Sequence, residues 1–274
     1  MFAPARRHHV LNLWLLGVPS LFTSGAVMQL AGAPPALMIV QVGAAMAALA
    51  IAWGSRPLWQ RVSATGVITI CLLATVACAS PLVGHGDGPQ RWWHLGGVTL
   101  YVASIVVPTC LVLCGRTPPD PARPLIASAA ALVPLALVLA LQPDLSQVLA
   151  ITAAVAMILW QHDAPRPLAF GVSASLLGAI GLARQTPDPY LPVPYVEGVL
   201  FTAWHHSLVV AGAVVASAVV LIGGLARHRT LRPAAAYLAV LSVCAIAGIT
   251  PAPLVGYGSG PWLGFGLFVG AALE

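Results

Sequence analysis

The stretch LVPLALVLALQPDLSQVLAITAAVAMILW (132–160) decides the fold, because two apolar runs are separated only by Gln142, Pro143 and Asp144. The first run ends an apolar segment that begins near residue 124, so the two segments, 124–141 and 146–161, approach the roughly 20 residues that a helix needs to cross a bilayer. Pro143 interrupts the first helix, because proline has no N–H and clashes with the preceding turn. The stretch therefore predicts two neighbouring transmembrane helices joined by a short polar turn.

The rest of the chain has the same apolar character. Of its 274 residues, 59% are hydrophobic and only 7% are charged, whereas soluble domains carry about 25% charged residues. Ala-, Leu- and Val-rich runs without strand alternation favour helices over a β-barrel. We predict one integral membrane domain over residues 1–274, an all-α polytopic bundle. Its ten or so spans are expected at 11–31, 36–53, 63–83, 98–114, 124–141, 146–161, 167–183, 197–225, 233–249 and 260–273.

Arginine placement predicts the orientation of these spans. With a cytoplasmic amino terminus and ten spans, ten of the twelve arginines fall on the cytoplasmic side, and only Arg91 and Arg184 fall outside. Because basic residues favour cytoplasmic loops, both termini are predicted to be cytoplasmic. The net charge of +5 is explained by these loop ends. No basic face is present for nucleic acid, so we expect the lipid bilayer to be a partner and nucleic acid not to be one.

The predicted outer side carries the polar segments 80–97, 142–147, 184–198 and 250–261, which we expect to meet at one extracytoplasmic pocket. Asp144 is interpreted as the cap of the following helix, a role compatible with a place in the pocket. Glu197 begins a long span, where the cost of burying a carboxylate raises its pKa and suits a general base. The alternative for Glu197 is an interfacial carboxylate that reaches water or pairs with Arg91 or Arg184.

Other polar residues allow two interpretations each. Arg91 precedes two tryptophans and either binds a head group or pyrophosphate, or anchors the loop at the interface. Tyr257 and Gly258 begin a Gly-rich turn that either approaches a ligand closely or simply reverses the chain. His205 and His206 are adjacent in one helix and are predicted to be buried and neutral, bonded to neighbouring helices. We expect no metal site, and the five cysteines are interpreted as small packing residues.

Four motifs, in order along the chain, resemble the SEDS family of membrane proteins (FtsW/RodA/SpoVE). They are GPQRWWHLGG (88–97), LVPLALVLALQPDLSQ (132–147), YLPVPYVEGVLFTAWHHSLVVAGA (190–213) and TPAPLVGYGSG (250–260). The Gln-Pro-Asp-Leu signature in the second motif is the most specific of them. The ten-span topology with both termini inside is also that of the family.

The resemblance implies a peptidoglycan glycosyltransferase in the bacterial inner membrane. Such proteins polymerise lipid II at the outer leaflet with a class B penicillin-binding protein, by an inverting transfer that expels undecaprenyl pyrophosphate. The essential family Asp aligns with Glu197, which is thus the predicted catalytic base. Arg91, Asp144, Gln142, Tyr257 and Gly258 form the predicted substrate-binding set. No cofactor is expected beyond, at most, a divalent cation.

The chain resembles a short and divergent member of the family, and two of its departures from the family pattern concern polar residues of the spans. The Glu-Glu pair of the eighth span corresponds to His205 and His206, and the Gln-Pro-Ser-Glu of the fourth span corresponds to residues 101–104. Two alternatives to an enzyme therefore stay open. One is a non-catalytic SEDS-like protein that binds a polyprenyl-linked lipid or a partner's transmembrane helix. The other is a small-solute transporter, although no internal repeat supports it.

Overall fold

The computed structural model describes residues 4–83, 90–95, 98–116, 123–185 and 193–272. Helices dominate the described residues, with one hairpin and two short 3₁₀ turns at Ser80–Val83 and Arg229–Leu231. In chain order the elements are α1 (Pro4–Leu15), α2 (Val18–Leu30), α3 (Pro35–Trp59), α4 (Ala64–Ala79), β1 (Trp92–Leu95), β2 (Val98–Tyr101), α5 (Val102–Gly115), α6 (Arg123–Leu141), α7 (Leu145–Gln161), α8 (Arg166–Gln185), α9 (Val199–His206), α10 (Leu208–Ala226), α11 (Arg232–Ile246) and α12 (Ser259–Ala271).

The chain is a polytopic membrane protein, as its apolar runs predict. Within the described ranges, six segments are long and apolar enough to cross a bilayer, and three more apolar helices are shorter. Every predicted span contains one of the helices, but the first and eighth spans are each divided into two. In the eighth, Ser207 has extended backbone angles, and its hydroxyl accepts a hydrogen bond from the Val210 N–H (3.3 Å) as the cap of α10. The count of ten spans and the side of each terminus stay predictions.

A β-hairpin accompanies the all-α bundle that the sequence predicts. Strands β1 and β2 pair antiparallel, with Trp92 opposite Tyr101 and Leu95 opposite Val98. Residues 98–101, which were assigned to the fourth span, therefore belong to a strand. Aromatic and β-branched side chains dominate both strands and favour extended backbone, and the sequence places a Gly-Gly pair between them.

Helix α12 is buried at the centre of the bundle against α3 and α5. A Cβ added to Gly264 would lie 2.0 Å from the Ser104 carbonyl oxygen, and one added to Gly266 would lie 2.3 Å from that of Ala48. Glycine at these positions lets the helix backbones approach closely, which is how many transmembrane helices associate. The large side chains Trp262 and Phe265 fill the remaining space and are fully buried.

In the part of the chain that the structure describes, the buried apolar side chains form two separate clusters. The main core extends through α1, α3 to α8, the end of α10, α11 and α12. The smaller cluster joins α2, α9 and α10 to the segment before α12, and consists of Val27, Val199, Ala203, Ala211, Val214 and Val255. The outer part of the eighth span is thus packed apart from the main core.

Arginines bind helix ends on the side predicted to be cytoplasmic. The Arg116 guanidinium donates to the carbonyl of Trp59 (3.0 Å) at the end of α3 and to that of Ala271 at the end of α12. The Arg229 guanidinium donates to the Gln161 carbonyl at the end of α7, and the Gln161 side-chain amide donates to the Arg229 carbonyl. A cation at a helix C-terminus satisfies the last carbonyls and offsets the negative end of the helix dipole.

Candidate functional site

Asp144 caps α7, as the sequence predicts. Its Oδ1 accepts hydrogen bonds from the Gln147 N–H (3.3 Å) and from the Ser146 hydroxyl (2.9 Å). The Asp144 N–H donates to the Leu139 carbonyl (3.1 Å), which folds the turn back onto α6. The cap leaves Oδ2 available for a second set of partners.

Oδ2 of Asp144 brings Arg91 and Tyr101 together. The Arg91 guanidinium lies 3.9 Å from Oδ2, and the Tyr101 hydroxyl donates a hydrogen bond to the same oxygen. Only 7% of Arg91 and 2% of Asp144 are exposed, so the ion pair is buried. The Arg91 guanidinium also lies 5.0 Å from the ring centre of Trp92. Sequence reasoning selected Arg91 and Asp144 without pairing them, and it missed Tyr101.

Gln142 holds the same turn to α4. Its side-chain amide donates a hydrogen bond to the Cys78 carbonyl, and only 1% of the residue is exposed. The contact gives Gln142 a structural role between α4 and α6. Its predicted contact with substrate stays a prediction.

Glu197 belongs to a tight turn before α9. The Val193 carbonyl accepts hydrogen bonds from the N–H groups of Val196 (3.0 Å), Glu197 (3.1 Å) and Gly198 (2.9 Å). In return, the Glu197 carboxylate accepts one from the Val193 N–H (2.9 Å). Glu197 is half-buried, so one side of this carboxylate faces the surface.

The turn at Glu197 is joined to the segment before α12. The Tyr257 N–H donates to the Tyr195 carbonyl (2.8 Å), and the Ala252 N–H donates to the Val196 carbonyl (3.1 Å). The two tyrosine rings meet edge to face at 6.4 Å. Burial, with a smaller contribution from Tyr195, raises the pKa of the Tyr257 phenol, which therefore stays protonated at neutral pH.

Gln41 of α3 fixes this segment from the other side and was missed by sequence reasoning. Its amide donates to the Gly256 carbonyl and to the Ser24 hydroxyl (both 3.2 Å), and its carbonyl accepts from the Gly258 N–H (3.1 Å). Only 2% of Gln41 is exposed. A lone amide in an apolar span was the available signal, because buried polar groups in a membrane need partners.

We expect Gln41→Leu to lower the free energy of unfolding by about 2–4 kcal/mol, because it leaves the Gly258 N–H and the Gly256 carbonyl without their buried partner. Unfolding by sodium dodecyl sulfate (SDS) in mixed micelles measures the change. Gln29→Leu, at an exposed position on α2, is the matched control and should have little effect. Equal stability of the two variants would show that Gln41 does not hold the segment.

A small cavity lies between the two groups of residues. Its volume is about 40 Å³, which is enough space for a few water molecules. Gln147, whose side chain accepts from the Tyr237 hydroxyl (2.6 Å), contributes polar atoms. The lining comprises Tyr101, Ser104, Pro108, Gln147, Tyr237, Leu238, Leu241, Thr250, Pro251, Pro253, Leu254, Pro261, Phe265 and Phe268.

The cavity thus connects a partner of Asp144 with the segment bonded to the Glu197 turn. Tyr101 is on one wall, and residues 250–254 are on another. Arg91, Asp144 and Glu197 themselves are outside its lining, and the one shared pocket stays a prediction. Asp87 and Asp188, which belong to the predicted outer segments 80–97 and 184–198, lie outside the described residues.

The prediction of buried histidines is wrong. His205 and His206 are both exposed, because α9 ends at His206 and its last turn faces outward. His206 Nδ1 lies 2.9 Å from the Thr202 carbonyl oxygen, and the His205 ring packs against Phe201 at 4.3 Å. Among the described residues, no group of three or more His, Cys, Asp or Glu could hold a metal ion.

The fold defines the class of this chain: it is a polytopic helical membrane protein with the SEDS fold. It is similar to the crystal structure of the rod shape determining protein RodA of Thermus thermophilus, with a TM-score of 0.72 and 19% identity, over 96% of this chain and 94% of that chain. A mutant of the same RodA gives a TM-score of 0.71 and 20% identity, over 96% and 95%.

A third solved structure belongs to a peptidoglycan synthase complex described as coordinating polymerization and crosslinking. It matches with a TM-score of 0.65 and 18% identity, over 94% of this chain and 96% of that chain. No family model matches the sequence. No curated protein matches it either. The similarity is therefore one of fold, at a sequence identity too low to transfer residue roles.

Proposed function

We propose that this protein is a SEDS-type peptidoglycan glycosyltransferase of the bacterial inner membrane. Its substrate would be lipid II or a related undecaprenyl-pyrophosphate-linked sugar at the extracytoplasmic face, used in cell shape or division. The observation that carries this proposal is the similarity to RodA over 96% of the chain. The half-buried carboxylate of Glu197, in the turn bonded to the segment before α12, supports it.

In the proposed reaction Glu197 is the general base. Its carboxylate takes the proton of the acceptor sugar's 4-hydroxyl, and the hydroxyl oxygen attacks C1 of the lipid-linked donor. The bond between C1 and the pyrophosphate oxygen breaks, and undecaprenyl pyrophosphate leaves with the electron pair. Attack opposite the leaving group inverts C1. Arg91, oriented by Asp144, supplies positive charge for the leaving pyrophosphate.

Glu197→Gln tests this proposal with minimal structural change. The amide oxygen can still accept the hydrogen bond from the Val193 N–H, but it cannot take a proton. We expect polymerisation of lipid II by the purified protein to fall by at least about 10²-fold, with an unchanged midpoint of SDS unfolding. Undiminished polymer from the variant would exclude Glu197 as the base.

The proposed partner is a class B penicillin-binding protein. The similarity to a chain of a peptidoglycan synthase complex supports this proposal. The assay above is therefore run with and without a cognate penicillin-binding protein, because SEDS-type activity is expected to depend on one.

A second candidate is a non-catalytic SEDS-like protein that binds a polyprenyl-linked lipid or a partner's transmembrane helix. Two observations favour it. Arg91 and Asp144 are engaged with each other in a buried pair, and neither of them lines the cavity beside them. Wild-type protein that forms no polymer with or without the penicillin-binding protein, yet retains lipid II on purification, would support this candidate over the enzyme.

A further inference from the structure

The last turn of α3 carries three buried hydrogen-bond donors for which the described residues provide no acceptor. They are the Ser55 hydroxyl, Arg56 Nε and Trp59 Nε1. Only 9% of Arg56 is exposed. Positions three or four apart are neighbours on a helix surface, so Trp59 lies beside both Ser55 and Arg56. Buried donors without a partner are rare in native proteins, and a cluster of three points to a missing acceptor.

The backbone carbonyls around this turn are already used. The Trp59 carbonyl accepts from Arg116, and the Arg56 carbonyl accepts from the Gln60 N–H (3.2 Å). Arg116 also offsets the negative end of the α3 dipole. Helix α12 closes one side, since a Cβ added to Gly270 would lie 2.4 Å from the Ser55 hydroxyl oxygen. The environment is therefore positively charged and rich in donors.

We propose that this end of α3 binds a phosphate group, carried by the head group of an anionic phospholipid. A phosphate oxygen accepts several hydrogen bonds at once and pairs with a guanidinium through strong charge-assisted bonds. Basic pockets between transmembrane helices on the cytoplasmic side bind such head groups, and arginine placement assigns this end of α3 to that side. The site lies at the opposite end of the bundle from Glu197 and does not depend on the proposed function.

Native mass spectrometry of the full chain in neutral detergent tests the proposal. The protein is titrated with phosphatidylglycerol or with phosphatidylcholine. We expect phosphatidylglycerol to be retained preferentially, and Arg56→Gln to weaken its binding about tenfold, as the loss of a charge-assisted contact predicts. Arg61→Gln is the matched control, because it removes the same charge from an exposed position on the same side, and it should change binding by less than about twofold.

Three results would overturn the proposal: equal retention of the two lipids, equal losses in both arginine variants, or unchanged binding in Arg56→Gln. Inorganic phosphate is added to lipid-free micelles as a separate arm. The midpoint of thermal unfolding is measured in this arm. If inorganic phosphate raises that midpoint as much as phosphatidylglycerol does, and Arg56→Gln abolishes the increase, then the site binds soluble phosphate. If Arg56→Gln does not fold, Trp59→Phe removes only the indole donor and should also weaken retention; full retention in Trp59→Phe would contradict the site.

Discussion

Asp144→Ala is expected to lower the free energy of unfolding by about 3–5 kcal/mol, because it removes one partner of a buried ion pair. Arg91 would keep its buried charge without this carboxylate, and the Tyr101 hydroxyl would lose its acceptor. The same change removes the cap of α7 at Gln147, which alone contributes about 1 kcal/mol. SDS unfolding of the purified protein in mixed micelles measures the loss.

A double-mutant cycle separates the ion pair from the cap. Arg91→Leu combined with Asp144→Leu replaces both charges by apolar side chains, which is often far less costly than removing one charge. We expect the double variant to be more stable than Arg91→Leu and Asp144→Leu each are alone. If the two single losses simply add, the charges are not coupled and the buried pair does not stabilise the turn.

Gly264→Ala is expected to cost about 3 kcal/mol or more, because overpacking in a closely packed core forces the backbone to shift. Its new Cβ would lie 2.0 Å from the Ser104 carbonyl oxygen and 2.9 Å from the Ile105 Cα. Both contacts are with backbone of α5, so no side-chain rotation relieves them. The expected observation is a strong fall in folded protein on size-exclusion chromatography, and a lowered midpoint of SDS unfolding for the remainder.

Gly43→Ala provides the matched control in another helix of the bundle. An added Cβ at Gly43 meets nothing within 4 Å. Because alanine is the better helix former by about 1 kcal/mol, this variant should be as stable as the wild type or slightly more stable. Similar losses in the two variants would indicate a general intolerance of the bundle rather than a contact between α12 and α5.

The helices were predictable because hydrocarbon requires each backbone segment to satisfy its own hydrogen bonds. The apolar runs therefore located a helix within each predicted span. The cap at Asp144 was predictable for a similar reason, since it depends on residues only two and three positions away. Glu197 was predicted at the start of the eighth span and lies instead in the turn just before α9, where its bond to the Val193 N–H depends on a local conformation that proline-rich sequence does not specify.

The unpredicted features depend on contacts that are distant in sequence. Gln41 forms hydrogen bonds with residues more than 200 positions away, and no local sequence pattern predicts such a partner. Arg91 and Asp144 were selected separately, but their pairing required the β-hairpin to place the arginine beside α7. The histidines were misplaced because the helix break at Ser207 changes which face of α9 is covered.

The separation of the apolar side chains into two clusters has a consequence for motion. The smaller cluster buries six side chains between α2, α9, α10 and Val255. Separating these elements from one another therefore exposes far less apolar surface than global unfolding does. Subglobal opening of such a unit requires only a fraction of the total stability. The extended residue Ser207 and the amide of Gln41 border this unit. We therefore expect the outer half of the eighth span to show faster amide hydrogen exchange than the main core, because local opening about Ser207 leaves that core folded.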